Sequence, residues 1–290
     1  MRTRPLAVLK IGGSLLSSDA CLDSAVEEIH RWLGDGYQPL VVVSAYGALT
    51  DQLSRRALAI SPLPDSGAYA SFLSSGEALS VAALGLATRR QGLHSEMIPV
   101  SELGLETSGD HLEAEPRKLR PKALRRALEN YDVVLVPGFV GAALDGSATL
   151  LGRGGSDMTA IFLAARLRAE RCVLLKDVDG WFVEDPRQRD AGVPRYQTLH
   201  WRDAISVPCP IVQSRAVELS ARLDMPFEVA AYDSKGGTRV GREETRIAAS
   251  VSSGRSEKIC EDPLPPFSLA SWRSDPGKLG QSGEPGGPRS

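Results

Sequence analysis

Leu6-Ala7-Val8-Leu9-Lys10-Ile11-Gly12-Gly13-Ser14 is a short β-prone run that ends in a paired-glycine turn. The same grammar recurs downstream. Residues 39–44 contain Leu-Val-Val-Val, a continuous apolar run typical of a strand buried on both faces. Further strand-like runs lie at 97–100, 132–137, 171–176 and 226–231. Between them, residues 24–33, 76–90, 121–129, 156–168 and 214–223 read as helices. Val26, Ile29, His30 and Leu33 share a face of the first helix, and Met158, Ile161, Phe162 and Ala165 form one stripe of the fourth. Buried strands separated by helices imply parallel pairing and an α/β sandwich.

Composition narrows the function. A chain of 290 residues, 42% hydrophobic, holds a sizeable core in one large domain or two small ones. With 34 basic and 36 acidic side chains, the net charge is −2. No global field therefore drives binding to nucleic acid or to an anionic membrane. No uninterrupted apolar run approaches the roughly 20 residues that span a bilayer, and the N-terminal run is too short for a signal-peptide core. The expected location is cytoplasmic, with no membrane partner. Cys21, Cys172, Cys209 and Cys260 are widely spaced, which argues against a disulfide scaffold and a Cys/His zinc site. No metal ligands are assigned. Arg117, Lys118, Arg120, Lys122, Arg125 and Arg126 read as a solvated helix face, so no nucleic-acid partner is expected. Residues 251–290 are half Gly, Pro or Ser, and a disordered tail is expected over 246–290.

Three glycine-bearing turns follow strands. Ligands collect at the carboxyl ends of strands in open parallel sheets. Glycines there let backbone N–H groups approach phosphate oxygens. Lys10 beside Gly12 and Gly13 suits a polyphosphate, although Gly-Gly also marks ordinary turns. It is neither a P-loop nor a dinucleotide fingerprint. Gly152-Arg153-Gly154-Gly155-Ser156-Asp157 opens the fourth helix. Ser156 or Asp157 can act as an N-cap there, and Arg153 can fork onto a carboxylate or phosphate. Lys176-Asp177-Val178-Asp179-Gly180 can be a plain turn, and its ligand series stops short of a calcium loop.

Six motifs then stand in one order. They are Lys10-Ile11-Gly12-Gly13-Ser14, Val43-Ser44-Ala45 with Thr50-Asp51, Ser75-Gly76-Glu77, Val136-Pro137-Gly138-Phe139-Val140-Gly141, the Gly152–Asp157 stretch, and Asp177-Val178-Asp179-Gly180 with Asp185-Pro186-Arg187. The series resembles the amino-acid kinase family and, within it, the catalytic domain of aspartokinases, from about residue 6 to about residue 240. The resemblance implies a carbamate kinase-like, three-layer αβα sandwich with a mainly parallel eight-stranded sheet. It implies a catalytic domain over 1–245, with an amino-acid lobe over about 1–140 and a nucleotide lobe over about 141–245. It implies ATP and Mg²⁺, an aspartate β-carboxylate as phosphate acceptor, and a homodimer.

Carried over position by position, Lys10 and Asp157 are catalytic. Ser44, Thr50, Glu77, Arg153 and Ser156 bind the amino acid, with Glu77 on its α-ammonium and Arg153 on a carboxylate. Lys10, Gly12, Gly13, Lys176, Asp177, Phe182 and Arg187 bind the nucleotide.

The chain also departs from the aspartokinase pattern. Lys176-Asp177 stands where Thr-Asp is usual, and Phe182 stands where an aromatic with a hydroxyl is usual. Pro208-Cys209-Pro210-Ile211-Val212-Gln213-Ser214 replaces Gly-Ala-Lys-x-Leu-His-Pro, so Pro210 occupies the place of an ATP-assisting lysine. Lys176 either supplies the displaced charge or is a solvated lysine at a strand end. No ACT modules follow residue 240, so feedback inhibition by lysine or threonine is not expected. Two alternatives remain: a kinase for another small carboxylate, and a pseudokinase that binds amino acid or nucleotide as a regulator.

Overall fold

The structure, a computed structural model, describes residues 4–186, 193–234 and 236–248. In chain order the elements are β1 (Leu6–Ile11), a 3-10 turn (Gly13–Leu16), α1 (Asp19–Gly34), β2 (Gln38–Val43), α2 (Leu49–Ile60), α3 (Ser66–Arg90), β3 (Ser95–Met97), α4 (Val100–Leu103), β4 (Leu105–Ser108), β5 (Glu115–Leu119), α5 (Lys122–Asn130), β6 (Val133–Pro137), β7 (Val140–Ala142), β8 (Ala148–Leu150), α6 (Gly155–Leu167), β9 (Arg171–Leu175), β10 (Tyr196–His200), α7 (Trp201–Ala204), α8 (Ser214–Leu223), β11 (Phe227–Ala230), β12 (Thr238–Gly241) and β13 (Arg246–Ile247).

The central strands are apolar on both faces because helices cover both. Val8, Val42, Val136 and Leu174 point to one side, where Met158, Ile161 and Phe162 of α6 and Val217 of α8 pack on them. Leu9, Ile11, Val43 and Leu135 point to the other, against Val26, Ile29 and Trp32 of α1 and Leu84 of α3. His30 is exposed, so the buried stripe of α1 runs through Ala25, Val26, Ile29 and Trp32 instead. Each fully buried aliphatic side chain contributes about 1.5–3 kcal/mol. An exposed pair such as Arg4–Asp132 contributes less than about 1 kcal/mol. Burial, not surface pairing, therefore holds the three layers.

The main sheet runs β13-β10-β12-β11-β9-β1-β2-β6-β3. From β3 to β11 every neighbouring pair is parallel, while β11–β12 and β10–β13 are antiparallel. It has nine strands rather than eight, because the two-residue β13 adds an edge inside the stretch expected as tail. Residues 249–290 lie outside the described residues. A second sheet, β5-β4-β7-β8, was not expected. Its strands are three to five residues long, too short for a clear period.

Helix α3 is long and apolar enough by length and composition to cross a membrane, although polar residues interrupt its apolar ones. Half of its most apolar window is buried in the protein. Arg117, Lys118, Arg120, Lys122, Arg125 and Arg126 are all exposed, but they do not form one helix face: Arg117 and Lys118 lie on β5, Arg120 follows it, and only Lys122, Arg125 and Arg126 lie on α5.

The turn after β1 leaves no room for a side chain at residue 13. A Cβ there would lie 2.3 Å from the carbonyl oxygen of Ala45. Gly13→Ala is expected to lower stability by about 1–3 kcal/mol, read from the urea midpoint. An unchanged midpoint would show that the two loops separate freely.

Candidate functional site

Parallel pairing brings the carboxyl ends of β9, β1, β2 and β6 side by side, so the loops that follow them share one rim. Lys10 is the penultimate residue of β1 and shares the face of Val8, beneath α6. Asp157 lies in the first turn of α6, where the helix dipole favours an anion. Lys176 follows the last residue of β9, the strand beside β1. The three side chains meet. Lys10 Nζ is 3.0 Å from Asp157 Oδ1, and Lys176 Nζ is 2.9 Å from Asp157 Oδ2.

All three groups are largely removed from water, and the electrostatics follow from that. Burial pulls Lys10 down to about 8, against the pull of Asp157 in the opposite direction and with help from Lys176. Burial alone would raise the Asp157 carboxyl, but the two ammonium groups outweigh it and hold it at about 2. One carboxylate between two lysines leaves one positive charge in excess. A buried ion pair is an expensive way to gain stability. A buried triad with surplus charge at a glycine-lined rim is suited to receive an anion. Gly12 borders it, since a Cβ there would stand 3.7 Å from Lys10 Nζ.

A second group of residues surrounds Ala45. The Ser44 N–H donates to Ile11 O, and the Gly47 N–H donates to Gly13 O, which ties this loop to the first glycine turn. Helix α3 grips it from beneath. Ser80 Oγ accepts from the Tyr46 N–H at 3.1 Å, and Gly76 packs against the Ala45 methyl group. Glu77 is 2% exposed, and its Oε2 has no hydrogen-bond partner among the described residues; nor does the buried Ser44 Oγ. Burial pushes the Glu77 carboxyl up to about 7, although its own N–H and that of Ala45 pull the other way. One carboxyl oxygen and one hydroxyl left without partners on either side of Ala45 are able to accept hydrogen bonds from a cationic donor such as an ammonium group.

The second glycine turn lies across the rim. Gly138 has no space for a side chain, since a Cβ would sit 2.7 Å from Ser156. Phe139 takes φ +68°, a left-handed conformation rare for a bulky residue, and Thr159 Oγ1 accepts its N–H at 3.1 Å. Gly152 and Gly154 also have positive φ. They lift Arg153 into solvent, and among the described residues it joins no ion pair. Thr50 sits in the first turn of α2.

Asp177 is exposed at the third turn, and Phe182 is bridged to Arg195. Arg187 lies outside the described residues. Lys10, Asp157, Lys176 and Gly12 thus meet directly, while Glu77 and Gly13 each approach the backbone of Ala45, the neighbour of Ser44. Reading the sequence missed Ser80, Thr159 and Arg195, which hold these loops. Ser80 and Thr159 look like ordinary helix residues until the fold supplies a backbone N–H from a distant loop.

Residues 5–240 match the amino acid kinase family. An aspartokinase of Mycolicibacterium smegmatis is 34% identical over 266 residues, covering 87% of this chain and 62% of that protein. The crystal structure of aspartate kinase from Synechocystis superposes with a TM-score of 0.70 at 30% identity, over 85% of this chain and 41% of that one. E. coli aspartokinase III in complex with aspartate and ADP shares the fold, with a TM-score of 0.71 at 22% identity over 82% of this chain and 65% of that one. The chain thus spans about three-fifths of the length of the aspartokinases it matches. Matched over most of its length and carrying the family's glycine turns around one rim, it belongs to the amino acid kinase family.

Proposed function

We propose that this chain transfers the γ-phosphoryl group of ATP to the β-carboxylate of L-aspartate, giving 4-phospho-L-aspartate and ADP. The buried Lys10–Asp157–Lys176 triad carries this reading, with the similarity to aspartokinases in support. An aspartate carboxylate has a reference pKa near 3.9 and is ionised at neutral pH. No general base is needed. Its oxygen attacks the γ-phosphorus, the bond to the β–γ bridging oxygen breaks, and that electron pair leaves on ADP. The barrier lies in bringing one anion to another, so positioning and charge neutralisation dominate. Lys10 and Lys176 supply positive charge to the transferring group, and Asp157 holds both ammonium groups in place.

In this reading Glu77 and Ser44 take the substrate ammonium, Arg153 forks onto a carboxylate, and Thr50 and Ser156 complete the amino-acid side. Gly12 and Gly13 line the phosphate path, and Asp177, Phe182 and Arg187 belong to the nucleotide side. Lys176 takes over from the lysine that Pro210 replaces. The described residues hold no group of three metal-ligating side chains, and Asp157 faces a lysine at each oxygen. Mg²⁺ therefore fits as a partner of the triphosphate rather than of a protein cage, where it would neutralise phosphate charge. The exposed Leu58, Ile60 and Leu63 on and after α2, with Leu79 and Leu86 of α3, support a homodimer formed through these helices.

Hydroxylamine trapping with Mg-ATP and L-aspartate is expected to yield aspartyl hydroxamate, reduced about 10²- to 10³-fold in Lys10→Ala. Turnover with another acid alone would replace the substrate, and binding without any turnover would favour a regulator. Lys176→Met is expected to raise the KM for ATP and to lower kcat; unchanged values would leave Lys176 a structural partner of Asp157 only.

The pH profile follows from two groups. Glu77 must be ionised to hold an ammonium group, so the KM for aspartate rises as pH falls below about 7. Lys10 must be protonated, so kcat/KM falls as pH rises through about 8. Burial of the Glu77 charge also weakens the fold. Its folded pKa lies above the usual 4.5, so stability falls as pH rises through that interval. Glu77→Gln is expected to stabilise the protein at pH 8 by up to about 3 kcal/mol while abolishing aspartate binding. Lower stability with intact binding would count against this role of Glu77.

A further inference from the structure

One buried carboxylate plays no part in the proposed chemistry. Glu28, in the middle of α1, is 3% exposed. Its Oε1 accepts from Trp32 Nε1 at 2.8 Å and from Arg31 Nη2 at 2.5 Å. Its Oε2 accepts from Arg31 Nε at 3.0 Å and from the backbone N–H of Asp233 at 3.0 Å. Arg31 and Trp32 belong to the same helix, and Arg31 already neutralises the charge. Asp233 is 205 positions away, in the turn that joins β11 to β12.

That turn is tightly specified. Asp233 adopts φ +52°, a conformation that side chains disfavour and that a fixed partner must hold. A Cβ at Gly237 would lie 2.6 Å from Val229 O. The next residue, Ser234, donates its hydroxyl to Asp179 Oδ1 at 2.5 Å. Asp179 is clamped from the other side by Arg195, whose Nη1 donates to Asp179 O at 2.8 Å and to Asp179 Oδ2 at 2.7 Å. Asp179 lies two residues beyond Asp177 and three beyond Lys176. A hydrogen-bonded path thus runs from α1, the helix that follows the first glycine turn, to the turn that carries Asp177. These two turns are the ones a nucleotide would have to touch together.

We infer that Glu28 is a positioning residue for the nucleotide: through Asp233, Ser234 and Asp179 it sets the Asp177–Gly180 turn relative to the Gly12–Gly13 turn. The inference rests on the nucleotide-binding part of the proposed function, not on the identity of the acceptor. Glu28 touches no reacting atom in this scheme. Its effect is on the affinity for nucleotide, because a turn that is not held in place must be ordered on binding.

The test is titration calorimetry of Mg-ADP and, separately, of L-aspartate with the full chain and with Glu28→Ala, Glu28→Gln and Ser234→Ala. Glu28→Ala and Ser234→Ala are each expected to weaken Mg-ADP binding about tenfold, with aspartate affinity held within about twofold. Glu28→Gln keeps an acceptor for the Asp233 N–H and is expected to recover most of the loss. The Glu28→Ala/Ser234→Ala pair is expected to lose little more than the worse single variant, because both cut one path. Normal Mg-ADP affinity in a folded Glu28→Ala protein overturns the inference. So does an equal loss of nucleotide and aspartate affinity, which marks a merely structural residue. If Glu28→Ala does not fold, Ser234→Ala decides alone by the same two readouts. Failure of the unmodified chain to bind Mg-ADP would overturn the nucleotide reading itself, a result distinct from either.

Discussion

The carboxylate of Asp157 between Lys10 and Lys176 is the constraint around which the rim is built. It joins three elements that are far apart in sequence: β1, the first turn of α6, and the residue after β9. The sheet and α6 bury it; burial depresses the Lys10 ammonium, and the two ammonium groups, against burial, depress the Asp157 carboxyl. The triad is a poor way to stabilise a fold. Removing two lysines and an acid from water costs several kcal/mol per ion, and one cation stays uncompensated. Its surplus positive charge is suited to an anion.

The loops around the triad are built by close approach. Gly13 meets the carbonyl of Ala45, Gly138 meets Ser156, and Gly155 meets Phe139, each at a distance that no Cβ tolerates. Phe139 holds a left-handed backbone between two of these contacts. The buried Glu77 and Ser44 atoms without partners lie at the same rim. Strain, surplus charge and unsatisfied polar atoms are concentrated where the four parallel strands end. The opposite character prevails beneath, where apolar side chains fill both faces of the sheet.

Much of the fold is legible in the chain. The strands at 6–11, 39–44, 132–137 and 171–176 are apolar because they are covered on both sides, and such runs stand out without knowledge of their partners. The small sheet does not stand out. Glu115–Leu119 reads Glu-Pro-Arg-Lys-Leu, and only pairing with β4 makes it a strand. Helix α2 does not stand out for a related reason: Ala57 is its one buried residue, and no side chain caps its start. His30 shares a helical face with Val26, Ile29 and Leu33 yet stays exposed, because four positions on one face do not show which of them meets the sheet.

Local sequence determined the central strands, most of their helices, the glycine turns and the candidates Lys10 and Arg153, because buried strands and tight turns impose residue types on their own positions; Glu77 and Asp157 were implied by the resemblance to aspartokinases. Tertiary structure decided the rest. Lys176 could be a solvated lysine or a site lysine until β9 lay beside β1 and brought its ammonium group 2.9 Å from Asp157. Glu28 and Ser234 are unremarkable polar residues until the fold joins α1 to the β11–β12 turn. A charge or hydrogen bond between residues tens or hundreds of positions apart leaves no periodic mark on the chain, and its meaning exists only once the backbone has closed the distance.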